Sequence, residues 1–234
     1  MKNSLVTRWN PIFDDKPTIE VPRIRFSEKF SRKYFKKRNF ILEIGCGTGS
    51  YFSIVDRRDC IGLDLNRDAI KIAKKYCLDS RFIIASATNL PFRAEIFDII
   101  CMWEVFEEIP KGTEEIIMAE VRRTLRSKAV FLLSVSNDHL ISKILDPAFI
   151  FQGSRHYNLK RLLNLISDCG FSVTECTIRG GVNTIIANFL FFFCKHVLNK
   201  KKALIKTFFD KKSTKEFDSS GNGIVYIFIA ANKN

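Results

Sequence analysis

From residue 40 onward, short apolar runs alternate with stretches whose apolar residues recur at three- and four-residue intervals, a rhythm that predicts strands alternating with helices. The runs are Phe40–Ile44, Cys60–Leu65, Arg81–Ala85, Phe97–Met102, Ala129–Val135, Phe171–Ile178 and Ile224–Ala231. Between them, a short helix is expected through Tyr51, Phe52, Ile54 and Val55. Another should carry Ile70, Ile72, Ala73 and Tyr76 behind an Asn66 cap. Further helices are predicted over Thr113–Arg126 and Leu159–Asp168, the latter closed by Gly170. Ahead of the first run, Phe26, Phe30 and Tyr34 recur every fourth position after Pro22, which predicts an amphipathic helix whose apolar stripe packs on the sheet or caps a site. Such alternation builds a doubly wound, mainly parallel α/β sheet. The last run has no helical crossover beside it and is expected to pair antiparallel.

Composition narrows this picture without overturning it. At 234 residues the chain is long enough for one α/β domain with additions. A division into an N-terminal arm and helix (1–37) and one domain (38–234) is expected. The formal charge of +13 favours anionic partners, such as nucleic acid, an acidic membrane surface or a charged small molecule, and equally serves solubility. Seven scattered cysteines form no Cys-x-x-Cys pair, so neither a disulfide framework nor a structural zinc site is expected, and no metal is assigned. With no apolar h-region near Met1 and no run of the roughly 20 residues that span a bilayer, a cytoplasmic location is expected.

Candidate chemistry begins where the first run ends, at Leu42-Glu43-Ile44-Gly45-Cys46-Gly47-Thr48-Gly49-Ser50. Glycines directly after a buried strand let the backbone turn sharply and pass close to a ligand. Asp64 closes the second run roughly 20 residues later, the spacing for a carboxylate that accepts two ribose hydroxyls. A dinucleotide turn reads Gly-x-Gly-x-x-Gly; here Ser50 holds the last position, and Glu43 precedes the turn. A carboxylate there would repel a pyrophosphate and suits a cationic ammonium group, which favours S-adenosyl-L-methionine over a nicotinamide dinucleotide.

These residues resemble motif I of class I S-adenosylmethionine-dependent methyltransferases. Gly62-Leu63-Asp64, Ala87-Thr88-Asn89-Leu90-Pro91-Phe92, Phe97-Asp98-Ile99-Ile100 and Glu104-Val105-Phe106-Glu107 follow in that family's order, as does Cys169-Gly170-Phe171. The resemblance implies a Rossmann-like doubly wound seven-stranded sheet, mainly parallel with an antiparallel last strand. It also implies that Glu43, Gly45, Cys46 and Gly47 line the methionine part of the cofactor and that Asp64 holds the ribose. Leu65 would then flank the adenine, Ser86 and Ala87 meet its edge, and Met102 and Trp103 lie beside the sulfonium. The family more often has Asp at Ser86, Glu-His at Glu107-Glu108 and Pro-Gly-Gly at Ser127-Lys128-Ala129.

The acceptor is expected to be a small or lipid-like molecule, methylated at oxygen, with His156 or Glu108 as the base. Both have plainer readings, as a loop histidine and a surface carboxylate. The absence of an Asn-Pro-Pro-aromatic motif after the fourth strand and of a Pro-Cys pair disfavours nucleic acid. An RNA or protein methyltransferase, or a non-catalytic subunit of this fold, is the alternative. A Phe-rich basic insertion at about 184–215 can cover the sheet, wall an acceptor pocket or lie on an anionic membrane surface.

Overall fold

The computed structural model describes residues 17, 21–36, 39–55, 59–146, 148–196, 204–219 and 223–234. Most of the N-terminal arm and part of the lysine run after Cys194 lie outside these residues. The strands are β1 (Ile41–Ile44), β2 (Cys60–Asp64), β3 (Arg81–Ile84), β4 (Phe97–Trp103), β5 (Leu125–Ser136), β6 (Phe171–Arg179) and β7 (Tyr226–Lys233). They form one sheet in the order β3-β2-β1-β4-β5-β7-β6. All pairings are parallel except those of β7, which runs antiparallel to both β5 and β6. The order reverses between β1 and β4, where the crossovers leave on opposite faces and a crevice opens at the carboxyl edge of the strands.

The helices are α1 (Pro22–Arg32), α2 (Arg67–Tyr76), α3 (Glu114–Thr124), α4 (Leu140–Ile144), α5 (Leu159–Asp168), α6 (Val182–His196) and α7 (Leu204–Asp218), with a π-helical turn at Ala148–Gln152. Because side chains alternate along a strand, the sheet builds two cores. Leu42, Ile44, Ile100 and Met102 meet Ile117 and Val121 of α3 and Leu162 and Ile166 of α5. Ile41, Cys101, Leu132 and Phe228 meet Phe26 and Phe30 of α1, Ile70 and Ala73 of α2, and Phe217 of α7. The Phe26 ring lies edge-on to Phe228 at 4.7 Å, so the stripe on α1 packs on the sheet.

One predicted element is absent. Residues 47–54 form linked turns instead of a helix. Gly45, Gly47 and Gly49 all take positive φ (75°, 53° and 83°), and the i→i+4 bonds here include Ser53 N to Gly49 O and Val55 N to Tyr51 O. Left-handed positions this close together leave too few consecutive helical residues to propagate.

Within the Phe-rich insertion, α6 and α7 pack against each other. Glu216 of α7 caps the first turn of α6: its carboxylate accepts from the amides of Gly181, Asn183 and Thr184 at 2.8–2.9 Å, and from the Thr184 hydroxyl at 2.8 Å. The orphan donors of a helix start are thus met by a carboxylate that also suits the helix dipole. Among the described residues, no helix is long and apolar enough to cross a membrane.

Candidate functional site

The glycine turn is held open by β2. Gly45 N and Cys46 N both donate to Leu63 O, at 2.7 and 3.0 Å, which pulls the chain past the end of the neighbouring strand. A Cβ on Gly45 would come within 2.3 Å of Val105, whereas one on Gly47 would meet nothing within 4 Å. Gly45 is therefore required by packing, and Gly47 borders open space. Asp64 links the turn to α2, with Oδ2 accepting from Gly47 N and Oδ1 from Asn66 N, both at 2.8 Å. Ala85 N donates to Asp64 O at 3.2 Å, so the end of β3, which carries Ser86 and Ala87, is registered to the same corner.

Glu43 is 4% exposed, and its Oε2 is buried with no hydrogen-bond partner. Burial, reinforced by the nearby Asp64 charge, pushes its carboxyl well above the usual carboxylate range. Glu43 pairs in register with Cys101 of β4, so Trp103, two residues on, shares its face of the sheet. Trp103 Nε1 is likewise buried and unpartnered. Its ring lies 5.6 Å from Tyr51, whose hydroxyl donates to Ser31 at 2.7 Å. Two orphaned polar atoms, two aromatic rings and space over Gly47 fit a cationic ligand with one end to be neutralised.

The loop after β4 fixes the far wall. Glu104 takes a left-handed φ of 55°, which turns its carboxylate back to Arg23 of α1 at 2.5 Å and to Ser134 Oγ at 3.2 Å. Arg23 also donates to the Tyr226 hydroxyl at 3.5 Å, and Asn188 of α6 donates to the same oxygen at 2.9 Å. Glu107 is buried against Ser136 N, and burial, with Glu104 adding to it, raises its carboxyl to about 8. An acid raised in the fold binds more protons folded than unfolded between about 4.5 and 8, so stability must fall as pH rises through that window. Glu107→Gln is expected to flatten a decline of up to about 1.4 kcal/mol per pH unit, read from urea unfolding at pH 5, 6.5 and 8. An unaltered slope would remove Glu107 as its source.

Beside this wall lies a small recess at the ends of β5 and β7, and His156 lines it with Ser136, Asp146, Asn188 and Tyr226. The His156 side chain is 2% exposed, and its Nε2 lies 3.2 Å from Asp146 Oδ2. Nδ1 has no partner. Arg155 and Tyr157, on either side, bond Phe106 O at 2.6 and 2.7 Å and so tie the histidine's segment to the loop after β4.

Residues 41–128 match the methyltransferase domain family. Over these residues the chain carries a class I S-adenosylmethionine-dependent methyltransferase domain. The sheet order, with antiparallel β7, is that of the same Rossmann-like fold. A crystal structure of an S-adenosylmethionine-dependent methyltransferase from Methanosarcina mazei superposes on 87% of this chain and 96% of its own, with a TM-score of 0.62 at 18% identity. An uncharacterised protein of Methanocaldococcus jannaschii is 26% identical over 199 residues, 84% of this chain and 66% of that protein. A phthiotriol/phenolphthiotriol dimycocerosates methyltransferase of Mycobacterium tuberculosis is 36% identical over 99 residues, 39% of this chain and 35% of that one. The chain spans between 48% and 66% of the length of the first curated relatives it matches.

With S-adenosylmethionine as the methyltransferase's cofactor, the expected residues divide by place. Glu43, Gly45, Cys46, Gly47, Asp64, Ser86 and Ala87 gather at one corner of the crevice. Leu65 is 45% exposed at its edge, and Trp103 shares the face of Glu43. The Met102 side chain is fully buried among Leu42 and Ile44 on the other face, so only its backbone reaches the site. The Ser86 hydroxyl is spent locally on Thr88, at 2.8 Å. Glu108 is exposed, whereas its neighbour Glu107 is the buried carboxyl. Tyr51, Arg23, Asp146, Asn188 and Tyr226 were not expected in the site. Tyr51 alone carried a signal, an aromatic inside the glycine turn; the others arrive from segments far away in sequence.

Proposed function

We propose that the protein transfers a methyl group from S-adenosylmethionine to a hydroxyl of a small-molecule or lipid-like acceptor held in the His156 recess. The observation that carries this reading is the His156–Asp146 pair. With Nε2–H directed to the carboxylate, the neutral imidazole presents a bare Nδ1 in a water-poor recess, the arrangement of a base oriented by an acid. When bound, S-adenosylmethionine supplies a methyl already activated on a cationic sulfur. Glu43 would neutralise its ammonium, Asp64 would hold the ribose hydroxyls, and Tyr51 and Trp103 would offer ring faces to the cation. His156 Nδ1 would take the hydroxyl proton as the acceptor oxygen gains the methyl and the carbon–sulfur bond breaks, leaving a neutral thioether, and Asp146 would steady the imidazolium. The likeness to a phthiotriol/phenolphthiotriol dimycocerosates methyltransferase supports a lipid-like acceptor.

Incubating the protein with methyl-tritiated S-adenosylmethionine and fractionated cell extract tests this. Label should enter the lipid or small-molecule fraction, and His156→Ala and Asp146→Asn should slow it by about 10²–10⁴-fold, with cofactor affinity unchanged by titration. Label confined to RNA or protein would point to the alternative acceptors that the +13 charge also suits. Cofactor binding with no transfer to any fraction would make the protein a non-catalytic subunit.

A further inference from the structure

The recess opens beside an apolar rim that the catalytic reading does not use. On α4 and the π-helical turn, Leu140, Ile141, Ile144, Leu145, Phe149 and Ile150 are all exposed, Leu140 by 70% and Ile144 by 58%. Eleven residues of chain thus turn six large apolar side chains to solvent, where a single exposed leucine would call for no explanation. These elements also form the recess: Leu145, Asp146 and Ser142 line it, and Phe149 stands edge-on to His156 at 5.3 Å.

The opposite wall continues the rim. Ile185 and Asn188 of α6 line the recess, and Val182, Phe189 and Phe193 are exposed. At 100° per residue those three share one stripe of α6, adjoining its recess-facing side. In sequence, the segment that continues from α6 is strongly basic. Residues 195–215 hold eight lysines against a single acid, Asp210. Lys212 lies over the exposed Phe208 ring at 4.5 Å, and Lys143 over Phe149 at 5.2 Å. Apolar side chains with lysines above their rings are the composition of a surface that sits in the headgroup layer of an anionic bilayer.

We propose that this rim docks on an anionic phospholipid bilayer, so that the recess receives the polar head of an amphiphile while its chain stays among the rim residues. The proposal rests on the recess being the acceptor site, and it narrows the acceptor to one presented from a lipid surface. It explains why apolar exposure concentrates at the mouth of a recess that holds a histidine–carboxylate pair.

Flotation of the full chain with vesicles of phosphatidylcholine alone, and of phosphatidylcholine mixed with phosphatidylglycerol, is the direct test. The protein should float with the mixed vesicles, more weakly as salt rises, and little with the neutral ones. Leu140→Asp/Ile144→Asp should cut partitioning by at least about tenfold, with the thermal midpoint and S-adenosylmethionine affinity unchanged because both side chains face solvent. Equal partitioning to both vesicle types, or an unaffected double variant, would overturn the proposal. So would a concentration-dependent dimer abolished by the same substitutions, which would give the rim to a second copy of the chain. Failure of the acceptor reading looks different: vesicle binding persists while His156→Ala leaves methyl transfer untouched.

Discussion

Asp64→Ala is expected to weaken S-adenosylmethionine binding by about a hundredfold in isothermal titration. The carboxylate would accept two ribose hydroxyls, and charge-assisted hydrogen bonds contribute about 1.5 kcal/mol or more each. The substitution also leaves Gly47 N and Asn66 N without their acceptor, so the turn and the start of α2 lose their link. A thermal midpoint lowered by a few degrees should accompany the lost affinity. Asp64→Asn separates the two effects, since its amide oxygen can keep one amide partner while the charge is gone. Affinity unchanged in both variants would take Asp64 out of the cofactor site.

The second large effect runs in two directions. Glu43→Gln should reduce S-adenosylmethionine affinity by at least about tenfold and at the same time make the ligand-free protein more stable at alkaline pH. A buried carboxyl without a partner is held above its ordinary range, so the folded state retains a proton that the unfolded state has released. Stability therefore declines as pH rises above about 4.5, and removing the group relieves about 1–3 kcal/mol. Binding of a cationic ammonium favours the ionised form, so wild-type affinity should rise with pH while the Gln variant's stays flat. Thermal melts at pH 6 and 9, and titrations at pH 5.5 and 7 where the ligand's ammonium stays charged, read both. A variant that is less stable at pH 9, or one whose affinity still climbs with pH, would show that Glu43 is satisfied by some other partner.

The fold and the donor half were legible because their signals are local. Apolar runs long enough to be buried, Asn66 at a helix start and Gly170 at a helix end each act within a few residues of themselves. Glu43 and Asp64 stood out because an acid at the end of a buried strand is unusual. The missing helix at residues 47–54 has the opposite cause. Tyr51, Phe52, Ile54 and Val55 carry a helical rhythm, but their burial is set by the second core, and the backbone conformation by three left-handed glycines. The surroundings of His156 were largely hidden. Arg23 meets Tyr226 across 203 positions, and Asp146 reaches His156 only because the π-helical turn folds back on itself. A lone carboxylate before a proline gives no sign of such a partner. The exposed rim was hidden for another reason: α4 is five residues long, too short for its periodicity to separate a buried face from an exposed one.

The position of β7 has a consequence for how the protein is made. Residues 226–232 fill the gap between β5 and β6 and hydrogen-bond to both. Until they leave the ribosome, β5 carries an open edge along Val130–Ser136 and β6 has no neighbour at all. The β3-β2-β1-β4-β5 part of the sheet can assemble during synthesis, while the wall that holds Tyr226 waits until β7 has been made. Until then the nascent chain is a sheet with an unpaired flank along β5.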